Sequence, residues 1–373
     1  AELGIEIAVV AGTSVGALNG AMVVQGDIDR AYELWYEMEP KSVIGLTDEE
    51  LESFKVLKLN NAIKGLRHII LERGLDIGPL VKLVKSAVDE EKIRKSQVDF
   101  GIVTVDLTGR KAVEIFKEDI PEGKLTDYII ASASFPGFKP AVIDGNTYID
   151  GGLYNALPIN LVQVKGCTDV IAVRTYALGI KRRIDTSGLN LINITPPESL
   201  GSVLDFNSGR SRHNLKLGYY EALKVFHKLK GKRYYINPAN DDDFFIEYLM
   251  RLSEVKIEKL GDLFGLEDLK GKRLLFEYLV PRVTDLLGLE SSATYEDIAV
   301  GLLENIAGYY KVERFRIYNI RELYMVIEGK FQYIEDDFLR EIPGFLRGKE
   351  IINKLVKERI ISIIANILFS RDE

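Results

Sequence analysis

The chain of 373 residues has a single cysteine, Cys167, and three histidines, His68, His213 and His227. One thiol cannot close an internal disulfide, and no cysteine cluster of a zinc site can form. The histidines stand far apart in sequence and leave little for a histidine-rich metal site; no cofactor is expected. Scarce cysteine fits a reducing, cytoplasmic compartment. Positive charge is also in deficit: 49 Lys and Arg against 56 Asp and Glu leave a net charge of −7. Duplex-binding surfaces carry the opposite sign, which argues against nucleic acid as the main partner. No apolar run reaches the roughly 20 residues of a membrane span. The longest, Ile360 to Phe369, is interrupted by Ser362 and Asn366. Gln and Met number only four each beside abundant Lys, Arg and Glu, a balance expected of a thermophile.

What is present is ordinary globular material, 46% hydrophobic and 28% charged. The length suits two domains. The apolar run Ile5 to Val10 reads as a buried strand, broken by Ala11-Gly12-Thr13-Ser14 and followed by a helix of small apolar residues, Val15 to Val24. Asp29–Met38, Asp48–Leu59 and Ile77–Ala87 have helical spacing, and Val98–Leu107 and Ala112–Phe116 are β-rich around a Thr108-Gly109-Arg110 turn. Leu125–Ser134 reads as a helix. Ala141–Ile143 and Thr147–Ile149 flank Asp144-Gly145-Asn146, a hairpin signal. Val170–Arg174 and Leu191–Ile194 read as further strands, and Ser211–Leu229 as a long helix. At Asn237–Asp243 a polar joint opens an almost wholly helical region: Phe244–Leu260, Leu274–Leu287, Tyr295–Tyr310, Arg321–Ile334 and Lys349–Phe369. The expected organisation is an α/β catalytic domain over 1–236 and a helical domain over 237–373.

Gly12-Thr13-Ser14-Val15-Gly16 matches G-x-S-x-G between an apolar strand and a helix. On such a turn the serine sits in a strained conformation above the sheet, and the flanking glycines permit close backbone approach. The helix N-terminus faces the place where an oxyanion would form, so the Val15 N–H is a candidate donor. The bland alternative is a glycine-rich turn with a serine N-cap. A serine nucleophile needs a base. Asp150 in Ile149-Asp150-Gly151-Gly152 ends a short strand, and the two glycines let the chain turn beside the carboxylate. An ordinary aspartate, with a pKa of about 3.9, is a weak base and gains from desolvation. Ser14, Asp150 and His213 also have the chain order of an α/β-hydrolase triad. Against that stands the polar setting of His213 in Arg210-Ser211-Arg212-His213.

The block Gly12 to Leu18 resembles the nucleophile block of the patatin-like phospholipase family. Ala131-Ser132-Ala133-Ser134-Phe135-Pro136, followed by Tyr148-Ile149-Asp150-Gly151-Gly152, resembles its second block. The resemblance runs over about residues 1 to 235 and is strongest in residues 1–27 and 126–160. It implies a three-layer α/β/α fold with a mostly parallel central sheet, and a Ser14–Asp150 dyad that needs neither histidine nor metal. It further implies hydrolysis of lipid acyl esters, commonly phospholipids or lysophospholipids, through an acyl-enzyme. The site residues would be Ser14 and Asp150, with Gly12, Val15, Gly16, Gly151 and Gly152 around them. The family's first strand and glycine-rich oxyanion loop lie upstream of its nucleophile block, so roughly 25 to 30 residues are expected before Ala1.

A lipid substrate would bring peripheral membrane contact. The mixed basic and apolar residues Lys349, Ile351, Ile352, Lys354, Leu355, Val356, Lys357 and Arg359 to Ile361 suit either an interfacial helix or, preferably, a core helix. The C-terminal helices are also a candidate homodimer surface. Two other readings stay open: a catalytically inactive binding or scaffold protein with the same fold, and an acyltransferase that resolves the acyl-enzyme with an alcohol.

Overall fold

The computed structural model describes residues 2–45, 75–175, 179–180, 182–202, 205–239, 242–333 and 354–370. The helical spacing at Asp48–Leu59, His68, and the Lys349, Ile351 and Ile352 positions lie outside these residues. The chain divides into two compact units, Ala1–Glu221 and Ala222–Glu373, which part within the helix Ser208–Phe226 rather than at residue 236.

The first unit is built on one strand. β2 (Asp99–Asp106) is buried at six of its eight residues. β1 (Val9–Thr13) pairs parallel with its first half, from Val9 opposite Asp99 to Thr13 opposite Val103. β3 (Lys111–Phe116) returns antiparallel through the turn at 107–110 and covers Gly101 to Asp106. β4 (Ala141–Ile143) and β5 (Asn146–Asp150) form the hairpin expected at Asp144-Gly145, both of which have positive φ, at 49° and 83°. β5 pairs antiparallel with β2, from Tyr148 opposite Asp106 to Asp150 opposite Thr104. Because β3 occupies one edge of β2, β1 and β5 share the other and meet end to end at Val103 and Thr104.

Helices cover both faces, as the alternation along β2 requires. Phe100 and Ile102 pack with Ala17 and Ala21 of α1 (Val15–Val24) and with Ile129 of the helix Leu125–Ser132. Val103, one residue out of phase, packs with Phe116 and with Leu161 of the helix Ile159–Val164. β6 (Asp169–Val173) and β7 (Asn190–Ile194) form a parallel pair. The α/β layers and the C-terminal helices agree with the expected class, and the five-stranded sheet is mixed: one parallel pairing and three antiparallel ones.

Two sequence expectations shift. The first strand lies at Val9–Thr13, not Ile5–Val10, and Ile5 and Ile7 are exposed. Apolar side chains alone do not make a strand; β2 begins at Asp99, and Val9 is the residue opposite it. The second unit is also not wholly helical. β8 (Tyr235–Asn237) and β9 (Ile317–Asn319) pair in parallel within it. The expected helix Phe244–Leu260 is two, Asp242–Met250 and Glu254–Leu263, because Ser253 accepts the Lys256 N–H and caps a new start. Ile360, Ile361, Ile364 and Ala365 of the final helix, Lys354–Phe369, are buried in the core of their own unit with Ile257, Ile306 and Leu323. That burial assigns these side chains to protein packing.

Lys117 illustrates how the first unit closes its loops. It is buried, and its ammonium donates to the carbonyls of Ile93 (3.1 Å), Ser96 (2.7 Å) and Val98 (2.8 Å) at the end of the helix Glu90–Lys95. Burial pulls its pKa down, while the neighbouring Asp99 and Glu118 push it up. Lys117→Met is expected to cost about 3 kcal/mol, since the carbonyls lose a charged donor without gaining access to water. Urea denaturation would measure this, and an unchanged midpoint would refute it.

Candidate active site

Ser14 follows the last residue of β1 and precedes the first of α1. Its backbone has φ 56° and ψ −124°, a conformation that costs a non-glycine residue about 1–3 kcal/mol. Two contacts hold it. The Ser14 N–H donates to Ser132 Oγ at 2.9 Å, and the Ser132 hydroxyl donates to the Val103 carbonyl at 2.6 Å. The Thr13 hydroxyl donates to the Asn155 carbonyl at 2.8 Å. Although Ser14 stands at the N-cap position of α1, its hydroxyl makes no capping hydrogen bond. The N-cap reading therefore does not account for this serine.

Gly12 is required by crowding: a Cβ there would lie 2.2 Å from the Gly16 carbonyl oxygen and 2.6 Å from the Ala17 nitrogen. Gly16 is different, because a Cβ there would meet nothing within 4 Å. The close approach within the motif thus constrains its first glycine only.

Asp150 arrives from the opposite direction along the same edge of β2. It is 4% exposed. Its backbone N–H donates to the Ser134 carbonyl at 2.9 Å, and its Oδ1 accepts the Gly152 N–H at 2.7 Å. The Ser14 side chain stands close enough to this carboxylate to act on its pKa. Burial pushes the Asp150 carboxyl above its ordinary pKa, and the Ser14 hydroxyl and Gly152 amide oppose that rise. Gly151 has no space for a side chain, since a Cβ would sit 2.1 Å from the Val103 carbonyl oxygen. The chain turns there directly against the backbone of β2. Gly152 contributes its amide to Asp150, and its carbonyl accepts the Ile180 N–H at 2.8 Å.

The structure therefore unites Ser14 with Asp150 and does not assemble the triad with His213. No described histidine hydrogen-bonds Asp150. His213 Nε2 lies 2.7 Å from Glu198 Oε1 and lines, with Asp205, Asn207 and Arg210, a polar cavity of about 380 Å3. His227 is exposed in the turn after the helix Ser208–Phe226. Among the described residues, no group of three or more His, Cys, Asp or Glu side chains could hold a metal ion. Nor is any described helix long and apolar enough to cross a membrane.

Two residues at the site were not singled out by sequence reasoning. Ser132 is fully buried under the elbow. Asn155, also fully buried, donates from its side chain to Glu114 (2.9 Å) and Asn160 (2.7 Å) while its carbonyl holds Thr13. The run Ala131-Ser132-Ala133-Ser134 closing an apolar helix was the available signal for Ser132. For Asn155 it was an amide directly after the glycine turn.

Fold and site together define an α/β protein with a serine on a strained strand-to-helix turn and a buried carboxylate beside it. Residues 1–162 match the family model described as patatin-like phospholipase. An uncharacterized NTE family protein of Mycobacterium tuberculosis is 24% identical over 159 residues, 42% of this chain and 38% of its own length. Patatin-like phospholipase domain-containing protein 7 of Rattus norvegicus is 25% identical over 186 residues, 46% of this chain and 12% of its own length. The chain thus matches well under half the length of either relative. The family match supports a lipid hydrolase as the kind of enzyme.

Proposed function

We propose that the protein hydrolyses acyl esters of lipids, with phospholipids or lysophospholipids as the substrate class, using Ser14 as nucleophile and Asp150 as base. The observation that carries this reading is that Ser14 and the buried Asp150 carboxylate, which burial makes more basic than usual, come together where β1 and β5 meet on one edge of β2. As Ser14 Oγ attacks the ester carbonyl carbon, its proton passes to Asp150. The oxyanion faces the Val15 N–H at the start of α1, where the helix dipole favours negative charge. Collapse of the tetrahedral intermediate expels the alcohol, which takes the proton from Asp150. Water then attacks the acyl-enzyme, giving its proton to Asp150, which returns it to Ser14 as the fatty acid leaves. Val15 and Leu153, each 43% exposed beside the reacting pair, offer apolar surface suited to an acyl chain or a lipid interface.

The test is covalent. The full chain, treated with a fluorophosphonate and digested, is expected to carry the adduct on Ser14, and to release fatty acid from p-nitrophenyl esters and phospholipid vesicles. A folded protein that takes no label and releases no acid would overturn the reading in favour of a binding or scaffold role.

A further inference from the structure

The last residue of the helix Leu125–Ser132 and the segment that follows it hold both members of the reacting pair by their backbones. Ser132 Oγ accepts the Ser14 N–H at 2.9 Å and donates to the Val103 carbonyl at 2.6 Å. Two residues on, the Ser134 carbonyl accepts the Asp150 N–H at 2.9 Å. Val103 is in turn the residue of β2 opposite Thr13, and its neighbour Thr104 is opposite Asp150. The Ser132 hydroxyl therefore ties the strained elbow to the strand on which both reacting residues are registered.

We infer that Ser132 is a positioning residue, whose hydroxyl sets the Ser14 backbone and so the direction from which Ser14 Oγ meets Asp150. This rests on the Ser14–Asp150 reading above. Three observations favour positioning over simple packing. The hydroxyl is fully buried and spends its proton on Val103 and a lone pair on Ser14, so neither bond is incidental to solvent. The residue it grips is the strained one, and a backbone at φ 56° relaxes unless its surroundings hold it there. Finally, the bond occupies the Ser14 N–H, which removes that amide from the oxyanion donors. A side chain of alanine would free the Ser14 peptide to rotate, moving Oγ away from the carboxylate and offering the oxyanion a misaligned donor.

The experiment compares wild type, Ser132→Ala, Ser132→Thr and Ser132→Val. Fluorophosphonate labelling measures nucleophile reactivity: Ser14 Oγ attacks phosphorus, fluoride leaves and Asp150 takes the proton. Ser132→Ala is expected to slow labelling and to lower kcat on a p-nitrophenyl ester by about 30- to 100-fold, with KM changed less than about threefold, as for a small misplacement of reacting groups. Threonine and valine have nearly the same volume, so that pair isolates the hydroxyl even if the extra methyl disturbs packing. Ser132→Thr is expected to label at least about tenfold faster than Ser132→Val. Circular dichroism melts accompany each variant. Equal labelling by wild type and Ser132→Ala, equal labelling by the Thr and Val variants, or losses that merely follow the unfolded fraction would each overturn the inference. Failure of the underlying reading looks different, because wild type itself would then take no label.

Discussion

Asp150→Asn is expected to lower ester hydrolysis by at least about 10³-fold while raising the melting temperature at neutral pH. The activity loss follows from removing the carboxylate that stands beside the Ser14 hydroxyl. Asparagine keeps an oxygen for the Gly152 N–H but cannot take the serine proton. The stability gain follows from burial. Asp150 is 4% exposed and its pKa is raised, foremost by desolvation. A carboxyl with a raised folded-state pKa contributes its stability fully below the unfolded-state value, and loses it as pH rises through the folded-state value. At neutral pH the wild type therefore carries a buried charge that the amide lacks. Calorimetry should find Asp150→Asn more stable at pH 7, with the difference shrinking toward about pH 4, near the ordinary aspartate range. The same shift places the acidic limb of kcat/KM for wild type above the ordinary aspartate value. A variant less stable than wild type at pH 7, or one that keeps its activity, would contradict the assignment of Asp150 as a desolvated base.

The second large effect separates the two glycines of the elbow. Gly12→Ala is expected to cost about 4 kcal/mol or more and to abolish fluorophosphonate labelling. Its Cβ would lie 2.2 Å from the Gly16 carbonyl oxygen, 2.3 Å from the Gly16 carbonyl carbon and 2.6 Å from the Ala17 nitrogen. All three are backbone atoms in the first turn of α1, which can move only by lifting the helix off β1 and β2. Gly16→Ala, by contrast, puts a methyl where nothing lies within 4 Å. Inside a helix, replacing glycine by alanine removes backbone freedom from the unfolded chain and stabilises by about 0.5–1 kcal/mol. Urea denaturation of both variants should give midpoints on opposite sides of wild type. Similar destabilisation by the two would mean that the elbow constrains both glycines alike, and that Gly16 is held by something other than crowding.

These expectations combine what could be read along the chain with what could not. The hairpin at Asp144-Gly145 was legible because a two-residue turn with positive φ at both positions selects those residue types locally. The elbow was legible for the same reason: Gly12 and Ser14 lie two residues apart, and their demands on the backbone are local. The strand that leads into it was misplaced because a strand's limits are set by its partner. Ile5 and Ile7 have the right apolarity, yet the register opposite β2 runs from Val9 to Thr13.

By itself, the sequence determined the α/β class, the strained serine between strand and helix, and an aspartate before two glycines. All of these are short-range requirements of backbone geometry and side-chain size. Only the tertiary structure decided that Ser14 meets Asp150 while His213 pairs with Glu198. The same is true of the clamp that Ser132 and Asn155 place on the elbow. The physical reason is that β1 and β5 end at adjacent positions on one edge of β2, a pairing made by hydrogen bonds between segments remote in the chain. No local pattern of residues encodes which strand ends will share an edge; only the packed sheet does.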